Sequence, residues 1–147
     1  MKRILLIMIG LSSLSMAQEA PRFTKANGVV TDSKTTLEWQ DDYSDNGDSI
    51  KRATWTDAID YCEELTLNGQ SDWRLPNKKE LLSIVDYGAN HPAISSVFEK
   101  TTSHIYWSST TIAGDTNLAW GVDFYGGLTF GNGKSPREYV RCVRAGQ

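Results

Sequence analysis

Two cysteines, Cys62 and Cys142, constrain this chain more than any other feature. They are its whole cysteine complement, and neither has a His or a second Cys at metal-ligand spacing beside it. The C-x-x-C arrangement of redox-active pairs is absent as well. In an oxidising compartment, an even pair in a small domain is most simply one structural disulfide. Closing a loop of about eighty residues is worth up to ~4.5 kcal/mol in the chain-entropy picture. Any fold carrying this bond must bring the middle of the chain against its end.

The N-terminus points to that compartment. Met1-Lys2-Arg3 is followed by an apolar run from Ile4 to Leu11 and a small-x-small site, Ser15-Met16-Ala17. This is the pattern of a signal peptide over residues 1–17, with an apolar run well short of the ~20 residues that cross a bilayer. No cysteine follows it to carry a lipoprotein anchor, and no other stretch reads as a transmembrane segment. The expected product is exported, periplasmic or extracellular, with a loose lead at 18–22 and a single domain at 23–147.

Loss of Lys2 and Arg3 would take the formal net charge from −3 to −5. A negative body is a poor start for nucleic acid or acidic lipid, so no nucleic-acid partner is expected. The charge is uneven: Glu38, Asp41, Asp42, Asp45 and Asp48 collect near the start, while Lys134, Arg137, Arg141 and Arg144 make the C-terminal segment basic. Both runs read as solvated faces.

Phe23 to Gln40 reads as two extended pieces, Val29–Thr31 and Leu37–Trp39, joined by the turn residues Asp32–Thr35. Asp41–Ser49 is a polar loop. A first helix starts after the N-cap Thr54, and Trp55, Ala58, Ile59, Cys62 and Leu65 fall at helical spacing, which puts Cys62 on the core side. A second helix opens at Asn77 with Glu80 three residues on, and runs to Gly88. Strands are expected at Tyr106–Thr110, Leu118–Phe124 and Leu128–Phe130, the last two joined by a Gly126-Gly127 hairpin turn. Gly131–Pro136 reads as an open loop, and Tyr139–Val143 as a final strand carrying Cys142. The order predicts an α+β fold with two helices and a mostly antiparallel sheet, the disulfide pinning the first helix to the last strand.

Several blocks resemble one known family. Gly28–Asp32 with Thr35, Leu37 and Trp39-Gln40, then Trp55 to Cys62, then Ser71–Asn77 with Glu80-Leu81, are similar to the Lcl C-terminal-like domain family. The similarity resumes at Tyr106–Thr110, Ala119–Phe124 and Tyr139–Arg144, covering nearly the whole chain beyond the signal. The Arg74-Leu75-Pro76 and Arg141-Cys142-Val143 elements also look like those of the formylglycine-generating-enzyme and C-type-lectin-like folds. The resemblance implies a C-type-lectin-like architecture with a helix-to-last-strand disulfide. It also implies a bacterial exported domain; the family's namesake is implicated in adhesion to sulfated polysaccharides, where it is joined to a collagen-like stalk. This chain has no Gly-X-Y tract.

The candidate chemistry is sparse. Asp42, Ser44, Asn46 and Asp48 with Gly47 match the first half of a calcium loop, but Ala53 occupies the place of the bidentate Glu. The segment reads as an acidic surface loop, and neither a metal nor another cofactor is expected. His91 and His104 are the only histidines, and no nucleophile elbow, zinc-protease motif or phosphate loop is present. The expectation is a module without catalytic residues. The five Trp read as core, Tyr125 at the Gly126-Gly127 turn as exposed, and Arg74 as a structural residue near the core with Asp123 as its candidate partner. In lectin-like folds the ligand face is built from long late loops, which here are Thr111–Asn117 and Tyr125–Arg137. Tyr125, Asn132, Lys134 and Arg137 are therefore the candidate ligand-binding residues, for a polysaccharide or a surface protein. The rival expectation is a structural or assembly component of a cell-envelope complex.

Overall fold

The computed structural model describes residues 16–146, so residues 1–15, most of the expected signal peptide, lie outside the described residues. Three short strands open the fold: β1 (Phe23–Ala26), β2 (Val29–Asp32) and β3 (Leu37–Gln40). The segment thus holds three strands where two extended pieces are expected, and the signal for the additional one, β1, is present in the sequence. Asn27 and Gly28 both take positive φ, 50° and 75°, the geometry of a tight hairpin turn, and Phe23–Ala26 pairs antiparallel with Val29–Asp32 across it.

After the acidic loop come β4 (Arg52–Ala53), helix α1 (Trp55–Glu64) and helix α2 (Lys78–Ser83). Thr54 caps α1 by accepting from the Asp57 amide, as its sequence suggests. Asn77 caps α2 in a full capping box: its side chain accepts from the Glu80 amide, and the Glu80 carboxylate accepts from the Asn77 amide. α2 stops at Ser83, well short of Gly88. Its apolar side is already buried at Leu81 and Ile84, and Val85 leaves the helix to bridge Ile94.

The remaining strands are β5 (Ile105–Ile112), β6 (Asp115–Asp123), β7 (Leu128–Gly133), β8 (Glu138–Tyr139) and β9 (Val143–Ala145). They form a four-stranded sheet, β1-β2-β3-β9, and a five-stranded sheet, β4-β8-β5-β6-β7. All pairings are antiparallel except β5 with β8, which meet at Tyr106 and Tyr139. The fold is therefore α+β, with two helices and mostly antiparallel sheet, and one core lies over each helix. Cys62, Trp73, Trp107, Ala119 and Val140 pack with α1, and Trp39, Leu81, Tyr106, Phe124 and Val143 pack with α2.

Cys62 and Cys142 are bonded, with Cα atoms 5.4 Å apart. The expected strand around Cys142 is in fact two strands in different sheets. Residues Val140 to Cys142 carry the chain from β8 to β9, and the disulfide sits in this crossing. The Gln40 side chain accepts from the Cys142 amide, and the Cys142 carbonyl accepts from the Gln40 amide, so the crossing keeps its backbone bonds without a regular ladder.

The charged runs are corrected more sharply. They are not two solvated faces, because several of their members meet each other inside. Arg141 and Asp41 are both buried and paired at 3.0 Å. Arg144, also buried, pairs with Glu38 and Asp72. Acid from β3 and base from β9 were separate along the chain, and antiparallel pairing of Glu38 with Arg144 brings them together.

Candidate functional site

The two segments expected to form long recognition loops are mostly strand. Thr111 and Ile112 end β5, Asp115–Asn117 begin β6, and β7 extends to Gly133 through the stretch read as open. Gly131 pairs with Trp120, Asn132 with Ala119 and Gly133 with Leu118. Strand pairing needs only backbone groups, and the Ile112 side chain packs so closely over Gly131 that a Cβ there would lie 2.6 Å from it. Glycine in this strand marks close packing, not mobility.

The four candidate residues do not share one face. Tyr125 lies before β7 and Lys134 after it, and six extended residues separate them by roughly 20 Å. The Lys134 ammonium donates to the Thr111 hydroxyl and the Thr116 carbonyl, and sits 3.8 Å from the Trp55 ring centroid. It is held by the protein itself. Arg137 is exposed and lines a separate cleft of about 250 Å³ with Lys51, Arg52, Asp57, Asp60 and Glu64. Asn132 shares its sheet face with Ala119, and its buried amide nitrogen has no hydrogen-bond partner among the described residues.

Asp42, Ser44, Asn46 and Asp48 also fail to converge. The Asp42 carboxylate accepts from the Ser44 amide, the Asn46 side chain donates to the Ser49 carbonyl, and Ser44–Asn46 is a single 3-10 turn. The Ser44 amide and hydroxyl hold the Asp42 carboxyl below its ordinary range. Among the described residues no three His, Cys, Asp or Glu side chains are grouped to hold a cation. Arg74 is fixed by a bidentate pair with Glu80, at 2.7 Å for both bonds, and is 45% exposed at its side chain; Asp123 instead accepts from the Tyr125 amide. Trp39, Trp73 and Trp107 are core as expected, whereas Trp55 and Trp120 are half-buried under Lys134 and Lys78.

Tyr125 is exposed, at 54%, and it does not stand alone. Its ring stacks on His91 with centroids 3.7 Å apart. The two segments are tied by backbone bonds from the His91 amide to the Tyr125 carbonyl and from the Ala93 amide to the Phe124 carbonyl. Tyr87, 74% exposed, lies against Gly127 in the adjoining turn. Gly127 has φ +82°, and a Cβ there would come within 2.9 Å of the Tyr87 ring and 2.5 Å of Val85. Glycine is what lets the tyrosine lie down on the hairpin. Sequence reasoning missed Tyr87 and His91 because they were treated as helix end and isolated loop residue. Their proximity to Tyr125 is a tertiary fact.

Two cavities open near this group, and of its three rings only Tyr87 lines one of them. One, about 430 Å³, has Phe23, Ile84 and Val97 in its lining together with Tyr87. The other, about 600 Å³, is lined in part by Pro92, Ile94, Phe98 and Ser96. Asp86 and Ser95 line both. An apolar floor, a few polar groups and an exposed ring at the rim are the elements of a small-molecule or sugar site.

This architecture is that of an α+β domain of two helices and two mostly antiparallel sheets, closed by one disulfide. Within that class, the family described as the Lcl C-terminal domain matches residues 28–144, and the chain belongs to that family. A comparison with curated proteins finds no match to it.

Proposed function

We propose that this chain is an exported, non-catalytic binding module that recognises carbohydrate on a cell surface, through the face built by Tyr87, His91 and Tyr125. The observation that carries the reading is an exposed aromatic group, the stacked His91–Tyr125 pair and Tyr87, of which Tyr87 lines the nearer of two neighbouring cavities. An exposed Tyr costs solvation of its ring unless something covers it. A pyranose, with an apolar C–H face and a hydroxyl rim, suits a surface where flat rings adjoin Ser and Asp side chains. Binding without turnover is part of the proposal; both cysteines are joined in the disulfide, so neither is a free thiol nucleophile.

The test is binding of residues 18–147 to an immobilised polysaccharide panel, with calcium and with chelator. Saturable binding that falls at least about tenfold in Tyr87→Ala/Tyr125→Ala, a loss of ~1.4 kcal/mol, supports the reading. Unchanged binding in that variant overturns the assignment of this face. A blank across the panel overturns carbohydrate recognition.

A second reading has its own observation. Leu128 and Phe130, 65% and 41% exposed, alternate on β7, the last strand of its sheet. An edge strand with apolar side chains suits pairing with a protein partner in an envelope assembly. Cross-linking at β7 in the native envelope, lost in Phe130→Lys, supports that role.

A further inference from the structure

We infer that β7 is a self-association edge: two copies of this chain pair their β7 strands antiparallel about a two-fold axis at Phe130, joining two five-stranded sheets into one. The inference names the partner in the second reading above, pairing at β7, and is independent of the carbohydrate reading.

The two sheets present four edge strands, β1, β9, β4 and β7. Three are short and guarded. β4 has two residues, one of them the exposed Arg52. β9 has three, and Arg74 already exchanges backbone bonds with its Val143. β1 has four, among them Lys25, held by Asp41 and Glu99. Shortness and charge are the devices that keep a sheet edge from recruiting another strand. β7 has neither. It runs for six residues, about 20 Å, and residues 125–133 contain no charged residue and no proline. Among the described residues, no backbone group of Leu128–Gly133 hydrogen-bonds to anything but β6. In antiparallel pairing every second residue turns its N–H and C=O outward, so roughly three of each form an open ladder.

The occupant follows from symmetry. Leu128, Phe130 and Asn132 share one face of β7, opposite Asp123, Gly121 and Ala119 of β6. A two-fold axis normal to the sheet keeps that face on the same side in both copies, and it requires a register in which one residue meets itself. With Phe130 at the axis, Leu128 of each copy lies opposite Asn132 of the other and diagonal to its Phe130. The two phenylalanines form a cross-strand aromatic pair flanked by both leucines. On the other face Thr129 meets Gly131, which is small enough to let the backbones close. Leu128 and Phe130, 65% and 41% exposed, are the side chains this arrangement covers.

Charge and size set the strength of the pairing. Once Lys2 and Arg3 are gone, each copy carries −5, so the bodies repel at long range and the uncharged edge is where they can meet. Salt screens that repulsion and strengthens the contact, the reverse of its effect on a pairing of opposite charges. A six-residue ladder with four covered apolar side chains falls short of the ~1,600 Å² of a standard stable interface. The dimer therefore forms at high concentration and dissociates on dilution.

The experiment is sedimentation equilibrium of residues 18–147 over roughly 10 μM to 1 mM, at low and at moderate salt. The expected result is a reversible monomer–dimer equilibrium that tightens with salt. Phe130→Lys and Leu128→Lys should each raise the dimer dissociation constant at least about tenfold by bringing an ammonium into the seam. Both side chains are exposed, so the thermal midpoints of dilute protein should stay near the parent's. Tyr87→Ala, an exposed aromatic away from the edge, should leave the equilibrium unchanged. A chain that stays monomeric to about 1 mM, a dimer that survives both lysine variants, or one that weakens with salt overturns the inference. Phe130→Cys should oxidise to a cross-linked dimer faster than Leu128→Cys, since only residue 130 meets its own copy; equal rates overturn the placement of the axis. If the chain is monomeric yet β7 cross-links to a different protein in the native envelope, the inference falls and the assembly reading stands. If neither is seen, both fall.

Discussion

Replacing Arg141 with Met tests whether the buried charge cluster organises the crossing between the sheets. Arg141 is 1% exposed and donates four bonds: to the Gln40 carbonyl at 2.7 Å, Asp41 at 3.0 Å, the Lys100 carbonyl at 2.6 Å and the Thr101 hydroxyl at 2.7 Å. Methionine keeps most of the length of the stem but provides none of these donors, and it loses the guanidinium that lies 4.9 Å from the Phe98 ring centroid. Asp41 would retain Lys25 and the amides of Glu99 and Lys100, so its charge is not wholly abandoned. Two carbonyls and a hydroxyl do lose a donor. Breaking one side of a buried pair costs about 3–5 kcal/mol, and the surviving partners of Asp41 place the expectation near 3. That is a large share of a stability of about 5–15 kcal/mol. The assay is equilibrium urea unfolding of oxidised protein, with Asp41→Asn and the double variant completing a cycle. A loss below about 1 kcal/mol, or strictly additive single losses, would refute the view that Asp41 and Arg141 act as a unit.

Removing the disulfide by Cys62→Ala/Cys142→Ala should cost up to ~4.5 kcal/mol in the same assay, the loop-closure value; no change in midpoint would contradict it. Asn77→Ala should destabilise by about 1 kcal/mol through loss of the α2 cap, read as a shift in thermal midpoint. Stability should also fall in acid. Burial raises the Asp32 carboxyl, but Arg22, Thr35 and the Lys34 amide outweigh it and hold it low; burial likewise opposes Arg74 and the Asn77 amide at Glu80, and again loses. A carboxyl depressed in the folded state stabilises above its unfolded value and stops doing so as pH drops through the folded one. Unfolding free energy should therefore decline below about pH 4, and a flat profile from pH 5 to 2 would rule this out.

Local signals were read well where they were purely local. The Thr54 and Asn77 caps, the face of α1 that buries Cys62 and the alternation of β6 follow from residues a few positions apart. Asn27-Gly28 was as local and was overlooked. What failed were readings that treated a stretch by its composition. Gly131–Gly133 looked like loop because glycine is flexible in isolation, yet β6 supplies a ladder partner for each residue. The C-terminal basic run looked solvated because charge is costly to bury, yet Asp41 and Glu38 arrive to pair with it.

The same division applies to the site. Sequence alone determined the disulfide-closed α+β class, the helix starts and the exposure of Tyr125, since each depends on period, capping chemistry or a turn. Only the tertiary structure decided that Lys134 is spent on Thr111 and Thr116, that Arg137 belongs to another cleft, and that His91 and Tyr87 join Tyr125. The physical reason is that a side chain's availability depends on the partners the fold brings within hydrogen-bond or stacking distance. Those partners lie tens of residues away along the chain, beyond the reach of any periodicity.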